Sequence, residues 1–98
     1  MGIIDGLNKI FESRVRLGIM STLMVNDSID YNTLKELLDI TDGNLASHIK
    51  ALEKAEYINI EKQFVGKKPK TTYEATKLGK AAFKLHIVTL EKILKANK

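Results

Sequence analysis

Residues 41–60, TDGNLASHIKALEKAEYINI, change their period midway. Up to about Ala55, the apolar residues Leu45, Ile49 and Leu52 recur at three- and four-residue spacing. At about 100° per residue this places them on one face of a helix. Thr41 or Asp42 supplies the cap. From Tyr57 the period becomes two, with Ile58, Ile60 and Phe64 on one face and Asn59, Glu61 and Gln63 on the other. A lysine-rich turn follows, Gly66-Lys67-Lys68-Pro69-Lys70, and residues 71–75 return as the partner strand. Gly66 and Pro69 bracket the turn, where Pro needs no ladder hydrogen bond.

Upstream, residues 32–39 read as a compact helix with Leu34, Leu37 and Leu38 inward and Asp30 or Asn32 as its cap. This helix, the turn at residues 40–43 and the helix after it give helix-turn-helix punctuation. Residues 29–31 suit a very short strand. Ser13 caps a helix reaching about Val25, whose apolar face is Val15, Ile19 and Leu23 with Met20 and Met24 beside them. Residues 3–11 place Ile3, Ile4, Leu7, Ile10 and Phe11 at helical spacing. Downstream, Thr76 caps a final helix with two apolar stripes, Leu78, Ala82 and Leu85, and Phe83, Ile87, Leu90 and Leu94. Two stripes exceed what one packing surface requires. The fold class is mainly α with a small β-hairpin (α+β), and 98 residues fit a single domain, residues 1–98.

The hydrophobic content of 44% supports a small core, and burying further apolar surface in a dimer would add stability. The chain has no Cys, so disulfides and thiolate chemistry are excluded. His48 and His86, the two histidines, are far apart in sequence, so no metal site and no cofactor is expected. His86 reads as a partly exposed helix residue. No apolar run approaches the roughly 18 residues of a membrane span, and a cytoplasmic protein is the expectation. No nucleophile beside a His has a recognised catalytic pattern, Ser47 and His48 being accounted for by a helix surface. No Gly-rich phosphate loop is present either, so an enzyme is not expected.

A net charge of +4 favours a polyanionic partner. On the helix at residues 42–55, Asn44, Ser47, His48 and Ala51 form a short-chained polar face with Lys50 and Lys54 at its border. Short side chains let a helix lie deep in the major groove of double-stranded DNA, where Asn, Ser and His meet base edges. Gly43 leaves the N-terminus of that helix open beside Thr41. Lys67, Lys68 and Lys70, with Thr71, suit phosphate contact. Arg16, like Arg14, either reaches phosphate or pairs with a carboxylate such as Glu12 or Glu56.

These residues resemble the winged helix-turn-helix regulators of the MarR/ArsR-like group, in their compact one-wing form. The resemblance runs from about Ser13 onward. It lies in the turn at residues 41–45, Ser47 and His48, Leu52-Glu53, Tyr57-Ile58, the basic segment 66–73, and Thr76 with Gly79 three residues on. It implies a homodimeric transcription regulator on a near-palindromic site. The recognition helix 42–55 would lie in the major groove, and the wing, residues 64–73, on the backbone or minor groove. Asn44, Ser47, His48 and Lys50 would be the groove-facing set and Lys67, Lys68 and Lys70 the wing set. The family usually carries Arg at the wing positions. Lys lacks the guanidinium fork, which weakens minor-groove reading and leaves phosphate contact intact. The family also often has Gly where Glu56 stands, a difference expected to touch only the helix end.

The surplus apolar residues suggest dimerisation through residues 1–12 and 76–98, using Ile3, Ile4, Leu7, Ile10, Phe11, Phe83, Ile87, Leu90 and Leu94. No constellation names a small-molecule effector. The competing readings are a winged helix used for protein contacts and a non-specific DNA-binding protein.

Overall fold

The computed structural model describes residues 2–96; Met1, Asn97 and Lys98, within the stretches assigned to dimerisation, lie outside them. Four helices and three strands follow in the order α1 (Arg14–Met24), β1 (Ile29–Asp30), α2 (Tyr31–Leu38), α3 (Asp42–Lys54), β2 (Ile58–Val65), β3 (Lys68–Ala75) and α4 (Lys77–Ala96). Each helix starts on a side-chain oxygen. Ser13, Asp30 and Thr41 accept from the backbone N–H three residues on, each at 3.3 Å. Thr76 accepts from Gly79 N–H at 2.9 Å. These bonds satisfy donors that a helix leaves unpaired at its N-terminus.

The helix expected over residues 3–11 does not form; a turn is followed by one 3-10 turn, Lys9–Phe11. The reason lies at Asn8. Its backbone N–H leaves any helical ladder and donates to Nδ1 of His86, 3.0 Å away, while its side chain caps the 3-10 turn and donates to the Tyr57 hydroxyl.

The sheet is antiparallel in the order β1-β3-β2. β1 covers β3 only at Thr72 and Tyr73, whereas β2 and β3 pair from Ile58↔Ala75 out to Val65↔Lys68. The hairpin therefore closes on two residues, Gly66 and Lys67, rather than on the five-residue turn expected. Gly66 has φ +68° and Lys67 is not among the positive-φ residues, the pattern of a type II′ turn. Pro69 lies within β3 opposite Phe64, one pair inside the turn-closing pair. That is a non-hydrogen-bonded register, and β1 does not reach so far, so the missing N–H costs no ladder bond.

The core collects Ile19, Met20 and Leu23 of α1, Leu34 of α2, Leu45, Ile49 and Leu52 of α3, Ile58, Tyr73, and Phe83 of α4 around Phe11. The Phe11 ring stacks on Tyr57 at 5.4 Å and meets Phe83 edge-on at 5.1 Å. α4 leaves the sheet through a tight corner. Thr76 N–H donates to the Tyr57 carbonyl and its hydroxyl to the Glu56 carbonyl, while a Cβ on Gly79 would run into the Tyr57 carbonyl oxygen. The spacing of Thr76 and Gly79 thus records one contact between α4 and the end of α3.

Three burial expectations fail. Leu37 is 62% exposed, because eight residues of α2 present Leu34 and Leu38, not Leu37, to α1. Phe64 is 74% exposed, because the core beneath its face ends at Ile60 and Tyr73. His86 is not partly exposed. It is 4% exposed, lies edge-on to Phe11, and accepts the Asn8 N–H.

Candidate nucleic-acid interface

α3 is fixed at both of its ends and at its middle. At the N-terminus Asp42 accepts from the Tyr31 hydroxyl and pairs with Lys35 Nζ at 3.0 Å, both groups coming from α2. The hydrogen bond from Tyr31, then that from Lys35, holds the Asp42 carboxyl below the usual range. The same bond to Asp42 pushes the Tyr31 phenol up to about 12. An anion on the first turn also suits the helix dipole. The link sets the angle between the two helices of the helix-turn-helix.

At the middle, Arg16 Nη1 lies 3.0 Å from His48 Nδ1, and Arg16 Nε donates to the Ile10 carbonyl. Guanidinium nitrogens only donate, so His48 Nδ1 accepts and its proton sits on Nε2. Partial burial, and then the Arg16 charge, hold the His48 pKa below its ordinary value. Within the chain the partners of Arg16 are a carbonyl and an imidazole, not the carboxylates Glu12 or Glu56. His48, expected on the groove face, sits half-buried at the seam between α3 and α1.

At the C-terminus Glu56 adopts φ +63° and the Tyr57 N–H returns to the Leu52 carbonyl, closing the helix. Asp39, ending α2, has φ +50°.

Between these fixed points α3 turns one face outward. Gly43, Ser47, Lys50 and Lys54 lie within about 40° of the direction opposite Leu45, and all four are exposed. Asn44 is exposed at the margin, with Thr41 beyond it; Ala51 is half-buried. The centre of the outward face is therefore Ser47 with the two lysines, and Asn44 and His48 flank it on the α1 side. A Cβ at Gly43 would meet nothing within 4 Å, so the first turn is open to close approach.

The wing extends this surface. Every residue from Glu61 to Lys70 is exposed. Side chains of directly paired residues share a face, so Lys62, Phe64, Pro69 and Thr71 continue the face of Ile60 and Tyr73, toward α3. Lys68 and Lys70 take the opposite face with Thr72. There Lys70 lines a shallow polar cleft with Ser28, Asp30 and Thr72 and helps lower the Asp30 pKa, whose main cause is the hydrogen bond from Thr33. The three expected wing lysines thus do not form one set: Lys67 is at the tip and Lys68 and Lys70 behind it. Lys62 was not among the expected wing residues, although the period-two alternation would have paired it with Thr71.

The residues expected to dimerise also divide. Phe11 and Phe83 are buried within the chain's own core and have no apolar surface left for a partner. Leu7 and Ile10 are half-buried, and Ile87 packs against the same core. Ile3, Ile4, Leu90 and Leu94 stay exposed. α4 buries Gly79, Phe83, His86 and Thr89 and presents Leu78, Leu85 and Val88 on one outer flank. Val88 was missed because the stripe it extends was read inward through Ala82. Among the described residues no group of His, Asp and Glu side chains could hold a metal ion, and no helix is long and apolar enough to cross a membrane.

Comparison with known proteins agrees with this geometry. Residues 15–94 match the family described as winged helix DNA-binding domain. An uncharacterized protein of Methanocaldococcus jannaschii is 37% identical over 87 residues, covering 89% of this chain and 95% of that protein. The solved structure of a transcriptional regulator homologue protein from Pyrococcus horikoshii OT3 superposes with a TM-score of 0.86 at 29% identity, covering 98% of this chain and 93% of that one.

Proposed function

We infer, from the premise that this chain belongs to the winged helix DNA-binding domain family, that it is a homodimeric regulator of transcription of the MarR/ArsR-like type. It binds double-stranded DNA sequence-specifically as a single domain over residues 1–98. The observation that carries the reading is the outward face of α3. It is small at Gly43 and Ser47 and cationic at Lys50 and Lys54, and the helix is held by α1 and α2. Ser47 and Asn44 meet base edges in the major groove, His48 Nε2–H offers one donor at the margin, and Lys50 and Lys54 take phosphates. Lys62, Lys67, Lys68 and Lys70 bring the wing to the backbone. The similarity to a transcriptional regulator homologue supports the regulatory role.

Dimerisation rests on the outer flank of α4, Leu78, Leu85 and Val88; Leu90 and Leu94, which continue the Phe83 stripe past the core, and Ile3 and Ile4 are further exposed apolar residues. Apolar residues at this spacing on an exposed helix favour burial against a second copy. A two-fold dimer would present its two α3 helices about 34 Å apart, one turn of duplex.

Selection of bound duplexes from a random pool at about 150 mM salt tests this, since purely non-specific binding is weak there. The expected result is an inverted repeat with half-sites about 10 base pairs apart, together with a dimer mass in sedimentation. Binding without enrichment, vanishing as salt rises, would make the chain a non-specific DNA-binding protein. No binding at all would make it a protein-docking winged helix.

A further inference from the structure

We propose that the wing carries an apolar wedge, Phe64 backed by Pro69, which enters the minor groove of duplex DNA and partly unstacks one base step. The inference rests on the DNA-binding reading above and adds to it a site that bends the duplex.

Four observations converge on this pair. Phe64 and Pro69 are directly opposite in a non-hydrogen-bonded register, where the strands approach to about 4.5 Å between Cα atoms, so the two rings stand side by side. Phe64 is 74% exposed, and among the described residues no aromatic ring stacks on it. The chain from Lys62 to Tyr73 contains Lys62, Lys67, Lys68 and Lys70 and no carboxylate. That charge suits a polyanion and opposes a second copy of the same wing. Finally, the pair lies on the sheet face that runs inward to Ile60 and Tyr73, and Pro69 and Thr71 line a recess with Tyr31, whose hydroxyl holds the start of α3. With α3 in the major groove, the ring is carried on the side of the wing that turns toward the DNA.

A two-residue turn keeps the tip narrow, and exposed Phe and Pro side chains are the kind that insert between base steps from the minor groove. The lysines around the tip hold the phosphates on either side while the ring displaces stacking. Pyrimidine–purine steps open most easily and would be favoured. The wedge would thus give sequence preference without hydrogen bonds to bases, at a position where lysines alone read little.

The test uses the full chain and a duplex of about 24 base pairs with one central TA step. One adenine of the step is replaced by 2-aminopurine, the ends carry a fluorescence-transfer pair, and the salt is held at about 50 mM so that binding does not require an operator. The native chain should raise the 2-aminopurine emission and shorten the end-to-end distance. Phe64→Ala should bind roughly tenfold more weakly, with an unchanged salt slope and both signals lost, and Phe64→Trp should keep them. Lys67→Gln with Lys68→Gln should lower the salt slope while the signals persist at saturation. Phe64→Ala binding and bending as the native chain does would overturn the wedge and leave the DNA reading intact. So would a change in the mass of the free protein on that substitution, which would place Phe64 in a protein interface. Absence of any duplex binding by the native chain overturns both.

Discussion

The helical head and the outer wing are built on opposite terms. In the head, α3 is held by Asp42 to α2, by His48 to α1 and by the Glu56–Thr76 corner to α4, over a core that encloses Phe11 completely. In the outer wing, residues 61–70 are all exposed and only two strands pair. A two-stranded ribbon has little stability of its own and twists readily. The head is therefore the rigid part of the molecule. The outer wing is the part whose twist is set least by the chain's own core.

Substitutions that break the head should be costly and those in the wing nearly silent for folding. The largest effect is expected from Gly79→Ala. The added Cβ meets the Tyr57 carbonyl, a backbone atom that cannot move aside, so denaturant unfolding should show a loss of about 2–3 kcal/mol. If stability is unchanged, α4 is not pinned at that corner.

Next is Arg16→Met, which removes the donors to Ile10 and His48 while retaining an aliphatic stem. A loss of about 1–2 kcal/mol is expected. The same variant carries a pH signature. Burial and the Arg16 charge hold His48 below its usual pKa, so the fold favours the neutral ring. Native stability is then complete above the ordinary histidine range, declines as pH falls through about 6.5, and levels off below the lowered value. Without Arg16 that decline should shrink, and denaturation series at several pH values will show whether it does.

Glu56→Gly runs the other way. A non-glycine residue at φ +63° is strained, so the substitution should stabilise by about 1 kcal/mol, read as a higher unfolding midpoint. The smallest stability effect belongs to the wing. Lys67, Lys68 and Lys70 changed together to Gln should shift stability by less than about 0.5 kcal/mol. Their effect should appear in the salt slope of DNA binding, which should fall by about 0.9 for each phosphate that the wing ceases to neutralise. A large stability loss in that variant would show that the wing is part of the cooperative unit after all.

The parts legible in the sequence are those governed by local rules. Ser13 and Thr76 stand out as caps because a short polar side chain precedes an apolar period; for the two middle helices the same rule leaves Asp30 beside Asn32 and Thr41 beside Asp42, and the structure selects Asp30 and Thr41. Leu45, Ile49 and Leu52 stand out because the helix period is strict. The illegible parts depend on contacts distant in sequence. Nothing around His86 signals that its acceptor serves a backbone N–H 78 positions earlier, or that Arg16 and His48 meet across 32. The apolar spacing of residues 3–11 imitates a helix that Asn8 diverts. Phe64 continues the alternation of a buried strand past the point where the core stops, and alternation carries no record of where a core ends. The lysines at 67, 68 and 70 look like one patch along the chain, but Lys67 belongs to the turn, while Lys68 and Lys70 share the face of β3 turned away from Phe64.

The two-residue closure at Gly66 and Lys67 also constrains how this wing can change in length. Adding one residue pair to each strand keeps Ile58 and Tyr73 inward and moves the tip outward by about 7 Å. A single residue added to β2 alone would either turn every later side chain of that strand to the wrong face or force a bulge. Wing reach in related chains should therefore differ in steps of two residues per strand, and a chain library with one- and two-residue insertions, sorted for folded protein, would display that parity directly.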